Sequence, residues 1–299
     1  MHATGVDGHT NLLRFQHVAR YRDHVTVAVL VKVYEGLVLA TDSATTLPLP
    51  NGDFQVYNNA NKIFHLHRGI PVAAMTWGKG AVGNASISTL AKDFRARLMG
   101  EIESSDGPLD PLDYSVEEVA TRLRDMMYVE LAGHPTPGML GLLVAGYSSG
   151  AAQPEAWLIE GEVGSDPAPE VRLAAPQDAA GWESWAQPEA SSRLFNGYDP
   201  RLLPAVLSQA PPESHQNIRA MFEAVQNDFN PAHPAMPIAD AAKLAQFTAD
   251  MTSTYTRFHL GSDTVGGPIE VAAITRHEGF KWISRKHYFT ADLNPGGHP

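Results

Sequence analysis

The 299-residue chain contains no cysteine, which excludes disulfides, zinc–thiolate sites and thiol nucleophiles. Basic residues are also few, since 22 Lys and Arg stand against 33 Asp and Glu and give a net charge of −11. That balance argues against nucleic acid or an anionic membrane surface as the main partner. No apolar run approaches the roughly 20 residues that span a bilayer. The first 24 residues lack the continuous apolar core of a secretory signal. We therefore expect a cytoplasmic protein that binds neither nucleic acid nor membrane.

Common catalytic motifs are missing as well. The chain has no G-x-S-x-G elbow, no H-E-x-x-H helix and no P-loop ending in G-K-[ST]. His65 and His67 fall on one face of a predicted strand, but no spacing supplies a third metal ligand. We therefore expect no metal and no cofactor, and an enzyme built on this chain would need a less usual nucleophile.

The segments that are present predict antiparallel sheets packed on helices. Five valines alternate from position 25 to 33, and a second apolar run follows the turn at Gly36, which predicts a β-hairpin over 25–42. Residues 84–99 predict a helix capped by Asn84, and residues 115–133 predict a helix with a capping box at its start. Along the whole chain, the predicted order is strands, two helices, strands, two helices and a final hairpin. Strands therefore do not alternate singly with helices, as a doubly wound parallel sheet requires.

A glycine-rich turn at Gly78–Gly83 matches G-x-G-x-x-G, the dinucleotide fingerprint. That fingerprint needs a βαβ unit, yet another predicted helix follows the first one here. A glycine turn whose N–H groups serve an oxyanion is the alternative interpretation.

The segment "TVAVLVKVYEGLVLATDSAT" resembles the opening of a proteasome β subunit, a member of the N-terminal-nucleophile hydrolase family. The segment starts at Thr26, where the mature family members begin with their catalytic threonine. "NKIF" (61–64), "PVAAMTWGKGAVGNAS" (71–86) and "TVGGPIEVAAIT" (264–275) resemble later family signatures. The resemblance runs from about residue 26 to residue 282 and is weakest over 150–255.

The resemblance implies four roles. Thr26 would be the nucleophile, Lys62 the ammonium beside it, Asp42 the carboxylate that holds Lys62 charged, and Gly78 the oxyanion donor. A free α-amine can take the threonine proton, and a nearby ammonium lowers the pKa of that amine. Three further residues are implied as supporting groups: Ser43, Ser262 and Asp263.

The resemblance also implies a fold and an activity. The expected fold is α+β, a four-layer αββα sandwich of two antiparallel sheets. Residues 1–25 would be a removable extension and 26–285 the hydrolase domain, with insertions at about 163–191, which look irregular, and 200–240. Residues 286–299 would be a C-terminal tail. The expected activity is threonine-type hydrolysis of peptides or small amides, with self-association into a ring or other homo-oligomer.

Two rival functions stay open. Val25, Tyr198 and Val265 stand where family members carry glycine or serine, which favours a non-catalytic proteasome-like structural or binding subunit. A dinucleotide-binding protein using Gly78–Gly83 is the second rival.

Overall fold

The computed structural model describes residues 26–48, 54–133, 138–228, 230–258 and 265–286. The predicted extension (1–25) and nearly all of the predicted tail lie outside these ranges, as do Ser262 and Asp263.

The strands are β1 Ala28–Val33, β2 Gly36–Thr41, β3 Thr45–Pro48, β4 Phe54–Tyr57, β5 Ile63–His65, β6 Val72–Gly78, β7 Ala81–Val82, β8 Ala85–Ser86, β9 Met139–Gly146, β10 Glu155–Glu162, β11 Arg172–Ala175, β12 Gly181–Trp185, β13 Glu270–Thr275 and β14 Gly279–Ser284. The α-helices are α1 Ile87–Leu98, α2 Val116–Arg124, α3 Glu189–Phe195, α4 Leu202–Gln209, α5 His215–Asp228 and α6 Ile238–Thr256.

Two five-stranded antiparallel sheets organise the described chain. The first has the order β12-β1-β2-β13-β14 and the second the order β11-β10-β9-β6-β5. Two short ribbons, β3-β4 and β7-β8, lie outside them. The predicted hairpin is confirmed, with Leu30 opposite Leu39 in an antiparallel register. The fold is therefore mixed α/β with antiparallel sheets, as the order of the predicted elements indicated.

Strand β1 is buried along its whole length because both of its faces are covered. Its alternating valines, including Val29 and Val31, pack with Ala245 of α6. The intervening Leu30 packs with Met75 of the second sheet. A third apolar cluster covers the other face of that second sheet with α1 and α2. This double burial explains why β1 reads as nearly continuous apolar sequence rather than a polar/apolar alternation.

The two predicted helices that cover the second sheet form, with one corrected start. Helix α1 begins at Ile87, and its N-cap is Ser86, whose hydroxyl accepts from Thr89 N at 3.1 Å. The prediction of Asn84 as the cap was wrong, because β7 and β8 take up residues 81–86. Ser115 caps α2 as predicted, accepting from Glu118 N at 3.0 Å.

The stretch 163–191 is more regular than its Ala/Pro-rich composition suggested. It contains β11 and β12, and β12 pairs with β1 along Ala28–Lys32. The prediction that this stretch is irregular was therefore wrong. The edge of the first sheet supplied the hydrogen-bonding partners that local composition could not reveal. Residues 200–240 carry α4 and α5, and α4 has no buried residue.

Candidate functional site

Thr26, Asp42 and Lys62 meet at one end of the first sheet. The Lys62 ammonium donates to Thr26 Oγ1 at 2.7 Å and to Asp42 Oδ1 at 2.8 Å. The hairpin brings Thr26 and Asp42 together because its antiparallel register pairs Ala28 with Thr41. Lys62 enters from the residue before β5 of the second sheet. The site is therefore shared by the two sheets.

Asp42 accepts four hydrogen bonds and is completely buried. Its Oδ1 accepts from Val27 N at 3.1 Å as well as from Lys62. Its Oδ2 accepts from Ala44 N at 3.0 Å and Gly266 N at 3.0 Å. Three backbone donors and one ammonium thus occupy both oxygens of the carboxylate. Asp42 thus fixes the backbone beside Thr26 as well as the lysine.

Lys62 is buried, with 4% of its surface exposed, and this burial affects its pKa. Desolvation lowers the pKa of Lys62, whereas the attraction and hydrogen bond of Asp42 raise it. Lys286 lowers the pKa of Lys62 further, and Glu270 raises it. The pKa of the ammonium beside Thr26 therefore depends on three other charged groups in the same buried region, Asp42, Glu270 and Lys286.

Ser43, implied by the resemblance as a supporting group, hydrogen-bonds beside the site to partners other than Lys62. Its hydroxyl donates to Pro268 O at 2.6 Å and accepts from Lys286 Nζ at 2.6 Å. Because the hydroxyl has one proton, the Pro268 bond fixes its lone pairs toward Lys286. Ser43 connects Asp42 to the end of β14.

Sequence reasoning missed Lys286 and Glu270. Lys286 Nζ lies 3.1 Å from Glu270 Oε2, with 6% and 1% of the two side chains exposed. A signal for Glu270 was present, since it is the one acid in the apolar run "GPIEVAAI". Buried acids are rare unless paired, so an acid at this position indicates a buried cationic partner. Lys286 carries no comparable signal, because it follows β14 in an ordinary basic stretch.

A pocket of about 500 Å³ opens beside Thr26 and Lys62. Its wall includes the turn Gly78–Ala81, the loop 57–61 and the start of α1, including Ser86. No Asp or Glu is among the described residues that line it, whereas Lys62 and Lys79 are. Burial lowers the pKa of Lys79, and the charge of Glu162 raises it. The polar groups of the pocket wall are thus cations, amides and hydroxyls in a protein of net charge −11, and apolar side chains such as Leu47 and Ile87 complete the wall.

Gly78 borders this pocket at the end of β6, with φ +79°. Lys79 N donates to Met139 O at 3.1 Å, and Thr76 N donates to Lys62 O at 2.9 Å on the opposite edge of the strand. Because N–H groups alternate between the two edges of a strand, the Gly78 N–H points to the edge of Thr76 N. β5 pairs with β6 only at Met75, Ala74 and Ala73. The ladder therefore directs the Gly78 N–H past the end of β5, toward the side of Lys62.

The other residues singled out from sequence lie elsewhere. Tyr198 packs edge-on against Phe222 at 4.7 Å between ring centroids, and Val265 belongs to the cluster that includes α6. Val25 lies outside the described residues. His65 stacks on Phe280, and the two rings are 4.6 Å apart. Across the described ranges, no group of three metal-binding side chains occurs, and no helix is both long and apolar enough to span a membrane.

The glycine turn is not part of a βαβ unit. Strand β6 leads into β7, β8 and α1, and α2 then follows. The next long strand, β9, pairs antiparallel with β6. Among the described residues, no parallel strand follows this turn as a dinucleotide fingerprint requires.

No protein-family model matches the chain, and no curated protein matches it. Among solved structures, the chain is similar to an Anbu (Gly-1) mutant from Hyphomicrobium sp. strain MC1. That match has 16% sequence identity and a TM-score of 0.50, and covers 90% of this chain and 91% of that one. The chain is also matched to Anbu (ancestral beta-subunit) from Yersinia bercovieri, with 13% identity, coverage of 87% and 88%, and a TM-score of 0.47. At such identities the first likeness bears on the fold alone. In its fold, the chain is coarsely similar to a proteasome-like protein.

Proposed function

We propose that the protein is a threonine-type amide hydrolase whose nucleophile is Thr26 Oγ1. The observation that carries this proposal is the buried contact among Thr26, Lys62 and Asp42, with the ammonium 2.7 Å from the hydroxyl oxygen. A hydroxyl that accepts from an ammonium can lose its proton to a base at lower cost, since the resulting alkoxide is stabilised. The accessible pocket beside Thr26 supplies room for a substrate.

The proposed reaction has two stages. The free α-amine of Thr26 takes the hydroxyl proton, directly or through water, as Oγ1 attacks the amide carbon. The Gly78 N–H stabilises the oxyanion. The C–N bond then breaks, the leaving amine takes the proton, and an ester to Thr26 remains. Water, deprotonated by the same α-amine, hydrolyses that ester and restores the hydroxyl.

This mechanism requires that Thr26 become the first residue, because its nitrogen is otherwise an amide in the 299-residue chain. We therefore propose that residues 1–25 are removed, and that the remaining domain has the αββα layer order. One apolar cluster between the sheets and one on each outer face support that order.

The non-catalytic alternative is supported by the burial of Thr26, which is only 1% exposed. A subunit that never frees its threonine would keep the same contacts as a structural feature. The two functions differ in one covalent property, the identity of the first residue in the mature chain.

The experiment compares the intact mass and N-terminal sequence of the purified wild-type protein and Thr26→Ala. The proposal expects wild-type chains that begin at Thr26 and hydrolyse a panel of fluorogenic peptides and small amides. Thr26→Ala should lack that hydrolysis. Wild-type chains that retain residues 1–25 and remain inactive would support the non-catalytic subunit instead.

A further inference from the structure

Lys286, the last described residue of the chain, lies behind the Thr26 site. Its ammonium has three partners. It donates to Ser43 Oγ and to Ala60 O, both at 2.6 Å, and lies 3.1 Å from Glu270 Oε2. All three come from different parts of the chain. The contacts therefore join the ends of β2, the residues before β5 and the start of β13.

Two of these partners flank the catalytic candidates. Ser43 follows Asp42, and Ala60 lies two residues before Lys62. The two segments are also joined directly, since Ala60 N donates to Ser43 O at 2.9 Å. The Lys286 ammonium closes a second link between them. The Lys62–Asp42 distance is thus constrained from behind as well as by the ion pair itself.

Charge balance gives Lys286 a second effect on the site. Asp42, Lys62, Glu270 and Lys286 form two opposite pairs in one buried region. Beyond its ion pair with Lys286, neither oxygen of Glu270 accepts a hydrogen bond from a described residue. The charge of Lys286 therefore compensates Glu270 and repels Lys62.

We propose that Lys286 is a positioning residue that fixes the separation of Lys62 and Asp42 beside Thr26. The proposal rests on the proposed hydrolase function for its kinetic consequence. Its structural consequence does not depend on that function, since it concerns only the position and the pKa of Lys62. Lys286 is not among the residues lining the pocket, so it acts through Lys62 and Asp42 rather than on a substrate.

The test variant is Lys286→Met combined with Glu270→Gln, which removes both charges and leaves none uncompensated. A matched control is Lys32→Met. Lys32 is also buried, donates to Pro176 O, Gln177 O and Ala179 O, and is not among the described residues that line the pocket. Both variants remove a lysine that donates to backbone carbonyl oxygen, so Lys32→Met reports the general cost of that loss.

The first readout is a pH titration of Lys62 by NMR of ¹³Cε-lysine protein, with its signal assigned through Lys62→Arg. The charged and hydrogen-bonding groups facing Lys62 are Thr26, Asp42, Glu270 and Lys286. Lys286 lowers the pKa of Lys62 and Glu270 raises it. Removing both charges and the contacts of Lys286 should therefore shift that pKa and broaden the signal, and Lys32→Met should do neither.

The second readout is the split between kcat and KM on a substrate that the wild-type protein hydrolyses. We expect the double variant to lower kcat at least tenfold with KM within twofold, and Lys32→Met to keep both. If the double variant does not fold, Lys286→Arg keeps the charge but cannot reproduce the compact three-way contact. It should also lower kcat and broaden the Lys62 signal.

An unchanged Lys62 titration and line width in a folded variant would overturn the proposal. A kcat of the folded double variant equal to that of an active wild-type protein would also overturn the proposal. An inactive wild-type protein would instead count against the proposed function, and the NMR readout would still decide the role of Lys286.

Discussion

Replacing Asp42 with Asn tests whether this carboxylate holds the site together. Each Asp42 oxygen accepts two hydrogen bonds, so either orientation of the Asn amide places an NH₂ group against two donors. The buried Lys62 ammonium also loses its counter-charge. Breaking a buried ion pair from one side costs about 3–5 kcal/mol, and we expect Asp42→Asn to lower the free energy of unfolding by that amount.

Lys62→Met gives the second arm of the same test. It removes the desolvated cation and leaves the carboxylate with three backbone donors. Its cost should therefore be smaller than that of Asp42→Asn. The double variant Asp42→Asn/Lys62→Met should lose less free energy of unfolding than the sum of the two single losses. Such non-additivity is expected for residues in direct contact.

The assay is urea unfolding followed by tryptophan fluorescence. The buried pair Trp77 and Trp185, with rings 5.5 Å apart, reports separation of the two sheets. The control is Asp240→Asn, because Asp240 also pairs with a lysine, Lys243, but on the surface. That variant should stay within about 0.5 kcal/mol of wild type. A loss below about 1 kcal/mol in Asp42→Asn, or a larger loss in Lys62→Met, would refute the reasoning.

Three further predictions follow from other contacts. Burial and the charge of Glu160 raise the pKa of Glu183 to about 8, so the folded protein binds an extra proton above the ordinary carboxyl pKa of 4.5. Stability from this group should be lost as pH rises from about 4.5 through 8, and Glu183→Gln should flatten that decline in urea titrations across pH. Gly267→Ala should lower the free energy of unfolding by more than about 1 kcal/mol, because φ is +73° and the new Cβ would lie 2.4 Å from Asn58 O. A stability equal to wild type would contradict that contact. Lys79→Glu should reduce kcat/KM about tenfold for peptides with an acidic side chain at the cleavage site relative to neutral ones, since the described pocket wall carries no carboxylate. An unchanged ratio would exclude Lys79 from substrate selection.

The sequence was most informative where local pattern and burial agree. The valine alternation and the turn at Gly36 predicted the β1–β2 hairpin because both faces of β1 are covered by apolar groups. Ser115 and Glu118 predicted the start of α2 because a capping box is a local hydrogen-bond pattern. The contact among Thr26, Asp42 and Lys62 was predicted from the resemblance alone. No sequence periodicity places Thr26 in contact with Lys62, 36 positions away.

Long-range contacts explain what sequence reasoning missed. Strand β12 forms because the edge of β1 offers unpaired backbone groups, although its own segment is rich in Ala and Pro. The Ser43 hydroxyl donates to Pro268 O and accepts from Lys286 Nζ, and nothing near Ser43 in sequence indicates either partner. The buried Glu270–Lys286 pair is likewise visible only once β13 and β14 are folded together.

The most direct test of the central claim is covalent trapping of Thr26. A chain produced so that Thr26 is its first residue would be incubated with an acylating peptide β-lactone, and the site of modification mapped by mass spectrometry. The account predicts one adduct on Thr26 Oγ1, none in Thr26→Ala, and a rate at least tenfold lower in Lys62→Met, because the ammonium 2.7 Å away no longer stabilises the alkoxide. An adduct on another residue, or equal labelling of Thr26→Ala, would contradict the assignment of Thr26 as the nucleophile.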